Sequence, residues 1–320
     1  MNPDVAAAVG ELHDRGLLSD AQARLFGRVA RAELVSIHNE LHALLYLGVL
    51  LTVSGVGWLL KDQMTRLGPL TIVALLALAA AGCFAWVQRR APPFTWGAAP
   101  PAHLGLEYVL LLAVLLAAAD LAYAETRFSA LGEQWPWHLL IVSLGAGALA
   151  FRYDSKLVLS LAVSSFAAWR GASVQVLERS VWTAVGEGSS LRANAIGCGL
   201  FFLAAGAALA RTGRKPHFEP VPTHAGWLLV LGGLASGLGG RSAGYELALL
   251  VVGGGLALTS FARRRFSLFA FGVIAAYVAL SSLFLRASPR DTAVALWFLV
   301  TSLALLGVLV GAHRRLKEPA

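Results

Sequence analysis

Charged side chains are scarce in this sequence, where Asp, Glu, Lys and Arg together make up only 14% of the 320 residues. Soluble domains carry about 25% charged residues. Hydrophobic residues make up 57% of the chain, which leaves too little polar surface to cover a water-soluble fold. The composition therefore excludes an ordinary soluble domain and predicts a protein surrounded mostly by lipid.

Cysteine is also scarce. Cys83 and Cys198 each lie inside an apolar segment, and no CxxC pair is present. This placement favours small buried hydrophobic side chains over a disulfide or a metal site. The sequence also lacks a Walker motif, a G-x-S-x-G nucleophile motif and a dinucleotide-binding fingerprint. We therefore expect no cofactor and no enzymatic activity.

The formal net charge is +8, but the basic residues are scattered singly or in short groups between apolar segments. Helix-flanking charges of membrane proteins are distributed in this way, so no nucleic-acid partner is expected. Arginine outnumbers lysine 22 to 4, which is typical of a GC-rich bacterial genome. Residues 1–40 lack an apolar signal-peptide core, so a cleavable signal peptide is not expected.

Apolar segments near the length of a membrane span recur along the chain, since a spanning helix needs about 20 apolar residues. They predict an all-α, polytopic transmembrane bundle of about ten spans over residues 41–312, followed by a cytoplasmic tail at 313–320. The ten predicted spans are 41–60, 67–87, 104–125, 137–151, 155–171, 192–211, 223–240, 243–262, 266–286 and 291–312. Segments 137–151 and 155–171 are short and form either a tight helical hairpin or a re-entrant pair.

The distribution of Lys and Arg predicts the orientation of these spans. With the N-terminus inside, the inner segments hold 17 basic residues and the outer loops hold 9. This bias favours both termini in the cytoplasm and an even number of spans. The predicted location is thus the bacterial cytoplasmic (inner) membrane, with a multi-pass topology and the lipid bilayer as the main partner.

Residues 1–40 read as a small cytoplasmic helical hairpin. The stretch PDVAAAVGELHDRGLL has helical spacing and is interrupted at Gly16, after which Ser19 and Gln22 form an S-x-x-Q capping box that opens a second helix. Two interpretations remain open for this hairpin. It either covers the cytoplasmic end of the bundle or provides a docking surface for a cytoplasmic protein partner.

One carboxylate stands out inside an apolar run, since Asp120 follows ten apolar residues, Leu110 to Ala119. An ionised aspartate in mid-membrane costs about 3 kcal/mol on insertion scales, so its side chain should face the bundle. In the predicted topology it lies in the outer half, where other polar side chains could join it as a substrate-binding or proton-relay cluster. The predicted cluster comprises Asp120, Glu125, Arg170, Arg192, Asn194, Tyr245 and Glu246. The alternative is a set of internal ion pairs that fix helix packing, with Asp120 paired to Arg170 or Arg192.

A metal site is a further candidate, because His38 and His42 lie at i and i+4 on one helical face. Small residues recur in pairs that allow close helix packing. They are Gly145-x-Gly147, Gly197-x-Gly199, Gly233-x-x-x-Gly237 and Gly253-Gly254-Gly255.

The stretch VGELHDRGLLSDAQARLF followed by LLYLGVLLTVSGVGWLL resembles the opening of a bacterial family of predicted multipass membrane proteins, the domain of unknown function numbered 2157. The similarity covers residues 9 to about 60, and it implies a helical hairpin ahead of a glycine-containing first span. It implies no activity and no catalytic residues.

Three functions remain open at this point. The first is a non-enzymatic scaffold, sensor or assembly protein that engages a partner through residues 1–40. The second is a small-solute transporter with a site around Asp120. The third is a membrane enzyme acting on a lipid-linked substrate, covered by a predicted outer loop at 171–191.

Overall fold

The structure is a computed structural model that describes residues 3–16, 18–30, 38–63, 68–97, 104–129, 131–181, 189–240, 243–287 and 291–317. Within these ranges it contains twelve α-helices and two short 3-10 turns, and no strand. The predicted all-α class is confirmed. The chain divides into two compact units, Met1–Gln63 and Met64–Ala320, and each is described by itself.

The first unit contains the predicted N-terminal hairpin. Its helices are α1 (Pro3–Asp14), α2 (Asp20–Ala30) and α3 (His38–Gln63), and α1 packs against α2. The capping box is confirmed, since the backbone N–H of Ser19 donates to Gln22 Oε1 at 3.0 Å and that of Gln22 donates to Ser19 Oγ at 3.4 Å. Gly16, at φ +70°, makes the turn that precedes it.

The second unit contains nine α-helices within the described residues. They are α4 (Pro69–Arg90), α5 (Leu104–Phe128), α6 (Trp137–Tyr153), α7 (Lys156–Val181), α8 (Ser189–Thr212), α9 (Pro220–Ala235), α10 (Gly244–Ala262), α11 (Phe266–Ala287) and α12 (Asp291–Lys317). Each of the ten predicted apolar segments thus coincides with one of the helices α3 to α12. The pair predicted at 137–151 and 155–171 is a helical hairpin, α6 and α7, joined by Asp154 and Ser155.

Two predicted boundaries are wrong. The predicted outer loop at 171–191 is helical as far as Val181, because residues 172–181 contain no glycine or proline to end α7 where its apolar stretch ends. The segment predicted at 223–240 begins earlier and ends earlier, as α9. Pro220 occupies the first helical turn, and residues 236–240 form a turn instead of the last helical residues.

Six helices in the described part of the chain are long and apolar enough to cross a membrane. The six are Pro69–Arg90, Gly105–Phe128, Ser190–Thr212, Gly244–Ala262, Phe266–Ala287 and Val294–Arg315. Their number and length are those of a helical, multi-pass membrane protein. Helices α6 and α9 are shorter, and α7 is long but more polar.

Helices adjacent in the chain form the main packing units. The pairs α4–α5, α6–α7, α8–α9 and α10–α11 make the most extensive contacts. Helices α5 and α7 connect the first two pairs, α7 packs on α8 and α9, and α9 packs on α10 and α11. Helix α12 makes its most extensive contacts with α11. There the ring of Phe284 stacks on that of Trp297, with ring centroids 4.3 Å apart.

Close packing at glycine is confirmed in three of the four predicted sets but not at Gly145-x-Gly147, where the nearest atom to a Cβ on Gly147 is 3.9 Å away. A Cβ placed on Gly199 of α8 would lie 2.7 Å from the carbonyl oxygen of Gly226 on α9. A Cβ on Gly253 of α10 would lie 3.0 Å from the Gly272 oxygen on α11. Gly233 and Gly237 are similarly enclosed, whereas Gly145, Gly197, Gly254 and Gly255 have no neighbouring atom within 4 Å of such a Cβ.

Candidate functional site

One groove of the second unit is formed by α4, α5 and α6. Its volume is about 530 Å³, within the range of small-molecule sites. The walls consist mainly of small side chains, and these are too short to fill the space between the three helices. The small lining residues are Ala77, Ala80, Ala81, Ala117, Ala118, Ala124, Gly145 and Ala146, and larger apolar ones such as Phe84 and Leu149 complete the walls.

Among the described residues that line this groove, Asp120 alone is charged. It lies on α5 between Leu116 and Ala124, so the adjacent helical turns on its face are apolar. Its Oδ1 atom is buried and accepts no hydrogen bond from the described residues. A buried carboxylate oxygen without a donor is costly in an apolar medium, which makes this atom the least satisfied anionic position of the groove.

The arginine partner predicted for Asp120 is not found. No ion pair among the described residues joins Asp120 to Arg170 or Arg192. Arg170 instead has its guanidinium 5.7 Å from the ring centroid of Trp169. The guanidinium of Arg192 donates to the Ser236 oxygens at 3.1 and 3.3 Å.

The other members of the predicted cluster differ in their partners. Glu125 accepts hydrogen bonds from the backbone N–H of Leu131 at 3.0 and 3.2 Å, which fixes the connection after α5. Tyr245 lies beneath Arg192, whose guanidinium is 4.6 Å from the ring centroid. The Oδ1 atom of Asn194 is buried without a hydrogen-bond partner. Of the predicted cluster, the structure thus brings Arg192 and Tyr245 into contact, and no hydrogen bond or ion pair among the described residues joins them to Asp120 or Glu125.

Glu246 has a partner that sequence reasoning missed. Its side chain is fully buried on α10, and Oε1 accepts from Arg286 Nε on α11 at 2.7 Å and from the Gly239 N–H at 3.2 Å. Its Oε2 atom has no hydrogen-bond partner. Arg286 is the last residue of the ninth predicted segment, which places it on the same side of the membrane as Glu246 in the predicted topology. The pair could have been predicted from that position.

The opposite end of the second unit contains a second group of charged residues that the sequence did not reveal. Lys215 is only 1% exposed, and its Nζ lies 2.8 Å from Asp154 Oδ1. His217 Nε2 lies 2.7 Å from the same oxygen, while His217 Nδ1 is buried without a partner. The Lys215 N–H also donates to the carbonyl oxygen of Trp96 at 2.8 Å. This group joins the connections α4–α5, α6–α7 and α8–α9, which indicates a structural role.

The predicted metal ligands His38 and His42 lie at the start of α3, and their side chains are outside the part of the structure that is described. Among the described residues, no group of three or more His, Cys, Asp or Glu side chains could hold a metal ion.

Comparisons with protein-family models, with curated proteins and with solved structures found no match to this chain. The similarity to the multipass family at residues 9 to about 60 stays a prediction.

Proposed function

We propose that this chain is a membrane protein that binds and transports a small lipophilic cation in the groove formed by α4, α5 and α6. The single observation that supports this function is the buried, unpartnered Oδ1 of Asp120 among apolar walls. A site of this kind favours a ligand that is apolar over most of its surface and carries one positive charge.

The proposed positive charge of the ligand follows from the free-energy cost of burying the Asp120 carboxylate without a partner. An ionised carboxylate in a low-dielectric medium gains most from a cation that reaches it directly, because the attraction between opposite charges is weakly screened there. The described residues supply no such cation at Oδ1. An organic cation in the groove would supply it, and its apolar surface would contact the alanine-rich walls.

The same carboxylate can also be neutralised by a proton. Asp120 would then hold either a proton or the organic cation, since one carboxylate offers one negative charge. Alternation between the two would couple cation movement to proton movement in the opposite direction. Binding should therefore release a proton from the protonated site and weaken as the pH is lowered.

We further propose ten spans, with both termini in the cytoplasm of a bacterial inner membrane. The bias of 17 basic residues against 9 supports this orientation, and the coincidence of all ten apolar segments with helices supports the number. Asp120 then lies in the outer half of the membrane.

The test is equilibrium binding of tetraphenylphosphonium to the purified protein in detergent, with uncharged triphenylphosphine oxide as the comparison ligand. We expect saturable binding of the cation alone, and loss of that binding in Asp120→Asn. Glu125→Gln is the matched control, because Glu125 lies on the same helix but its carboxylate is bound to the Leu131 N–H.

Gly145→Phe provides a second variant that leaves the carboxylate in place. Gly145 lines the groove, and no atom lies within 4 Å of a Cβ placed there, so a larger side chain can enter the space without a backbone clash. It should weaken cation binding by occupying the groove. Equal binding of tetraphenylphosphonium by the wild type and by Asp120→Asn would show that the proposed function is wrong.

The first unit favours a second candidate function, docking of a cytoplasmic protein. Leu12 is 40% exposed and Phe26 is 42% exposed, so the hairpin of α1 and α2 presents apolar side chains. Cross-linking in native membranes, followed by mass spectrometry, should identify a partner on this hairpin. If Leu12→Ser and Phe26→Ser leave the cross-linked partner unchanged, this candidate function is wrong.

A further inference from the structure

A second groove lies on the other side of the α6–α7 hairpin, between that hairpin and α8. Its volume is about 410 Å³, and its walls are almost entirely apolar. Leu159 and Val163 of α7 face Phe202, Ala205 and Leu209 of α8 across it. Because α8 is one of the six helices long and apolar enough to cross a membrane, we expect this groove to lie at the depth of acyl chains.

A cation lies at the mouth of this groove. The guanidinium of Arg214, at the end of α8, is 4.8 Å from the ring centroid of Trp96, and both residues line the opening. Both side chains are exposed. Tryptophan and arginine at a helix end are typical of the membrane–water interface, where lipid headgroups lie.

Arg214 has no carboxylate partner among the described residues. Its neighbour Lys215 differs, because Lys215 points into the protein and its charge is balanced by Asp154. Arg211, almost one turn earlier on α8, is also exposed and without an ion pair in the described part of the chain. The mouth of the groove therefore has uncompensated positive charge, while its floor is apolar.

Arg192, in the first turn of α8, is an arginine whose guanidinium already has partners in the protein. It also lines a groove, of about 400 Å³, but its guanidinium donates to Ser236 and lies over Tyr245. Arg214 makes no hydrogen bond to a described residue. Of these two arginines, only Arg214 has its donors available to a ligand.

We infer that this second groove binds a phospholipid with an anionic headgroup, whose phosphate contacts Arg214 and whose acyl chain lies between α7 and α8. Basic positions between membrane helices at the cytoplasmic face recognise anionic lipids by this combination of charge and apolar surface. The ligand is opposite in charge to the cation proposed for Asp120, and the two grooves share no lining residue. The inference is therefore independent of the proposed transport function.

The experiment is native mass spectrometry of the full-length protein in detergent, titrated with phosphatidylglycerol and separately with phosphatidylcholine. We expect phosphatidylglycerol to bind more tightly, and Arg214→Gln to reduce its affinity about fivefold or more, as for the loss of one basic contact at a membrane surface. Arg263→Gln is the matched control, since Arg263 is an exposed arginine that follows α10 and lines neither groove.

Ala208→Trp tests the acyl chain separately from the charge. Ala208 is an exposed residue of α8 that lines the groove, so an indole there should displace the lipid tail and weaken both lipids. Equal affinity for the two lipids, or equal effects of Arg214→Gln and Arg263→Gln, would overturn the inference. Binding of soluble glycerol phosphate as tight as that of the lipid would also overturn it, because the groove would then contribute nothing.

Discussion

Asp154 and Lys215 lie 61 positions apart in the chain, and the Lys215 Nζ contacts the Asp154 Oδ1 at 2.8 Å. Both residues adopt a left-handed backbone conformation, at φ +60° and +49°. Non-glycine residues rarely adopt it, at a cost of about 1 to 3 kcal/mol each. The ion pair therefore joins two turns whose backbones are each held in an uncommon conformation.

We predict that Asp154→Asn destabilises the protein by about 3 to 5 kcal/mol, because it leaves the Lys215 ammonium buried without a counter-charge. Unfolding of the purified protein in detergent, followed by circular dichroism as sodium dodecyl sulfate is added, measures this change.

The double variant Asp154→Asn with Lys215→Met is the control, since it removes both charges and keeps the volume of the buried side chain. It should regain much of the lost stability. A double variant as unstable as the single one would show that the loss of stability does not come from an unpaired Lys215 ammonium.

Asp120→Asn should have the opposite effect on stability in the absence of a ligand. The substitution removes a charge from an apolar groove where Oδ1 has no donor, so we expect an increase of about 1 to 3 kcal/mol. Thermal unfolding in detergent above pH 7 measures it. A loss of stability comparable to that of Asp154→Asn would identify Asp120 as a structural residue.

Gly199→Ala should destabilise the α8–α9 pair by about 1 to 3 kcal/mol, because the new methyl group would meet the α9 backbone at Gly226 and Val230. Gly197→Ala, two residues earlier on α8, meets no atom within 4 Å. That variant should be neutral or about 1 kcal/mol more stable, through the better helix propensity of alanine. Equal effects of the two substitutions would contradict the close approach of α8 and α9.

The orientation can be tested by labelling single cysteines in a background where Cys83 and Cys198 are replaced by alanine. We predict that a membrane-impermeant maleimide labels Glu133→Cys, between α5 and α6, on intact cells. Arg263→Cys, between α10 and α11, should react only after the membrane is permeabilised. The reverse pattern would place the termini outside, and labelling of both from outside would rule out the ten-span arrangement.

The helices could be predicted from the sequence because each apolar run near span length requires a regular backbone in lipid. Their ends were less predictable, as α7 shows, since polarity rises before the helix ends at Val181. Asp120 was found because a carboxylate in an apolar run is unusual. Asp154 and Lys215 were missed because each lies in a connection between two helices, where charged residues are common. Their pairing depends on which helix hairpins become neighbours, and apolar periodicity contains no such information.

The arrangement of the helices in successive hairpins has a consequence for how the chain is assembled during synthesis. Most helix contacts join neighbours in sequence, so each hairpin can form soon after its second helix is made. The contact between Asp154 and Lys215 differs, because the two residues are separated by 61 positions along the chain. Asp154 is in place before Lys215 exists. The connections α4–α5 and α6–α7 therefore gain their contacts with Lys215 only after the turn that follows α8 has been synthesised.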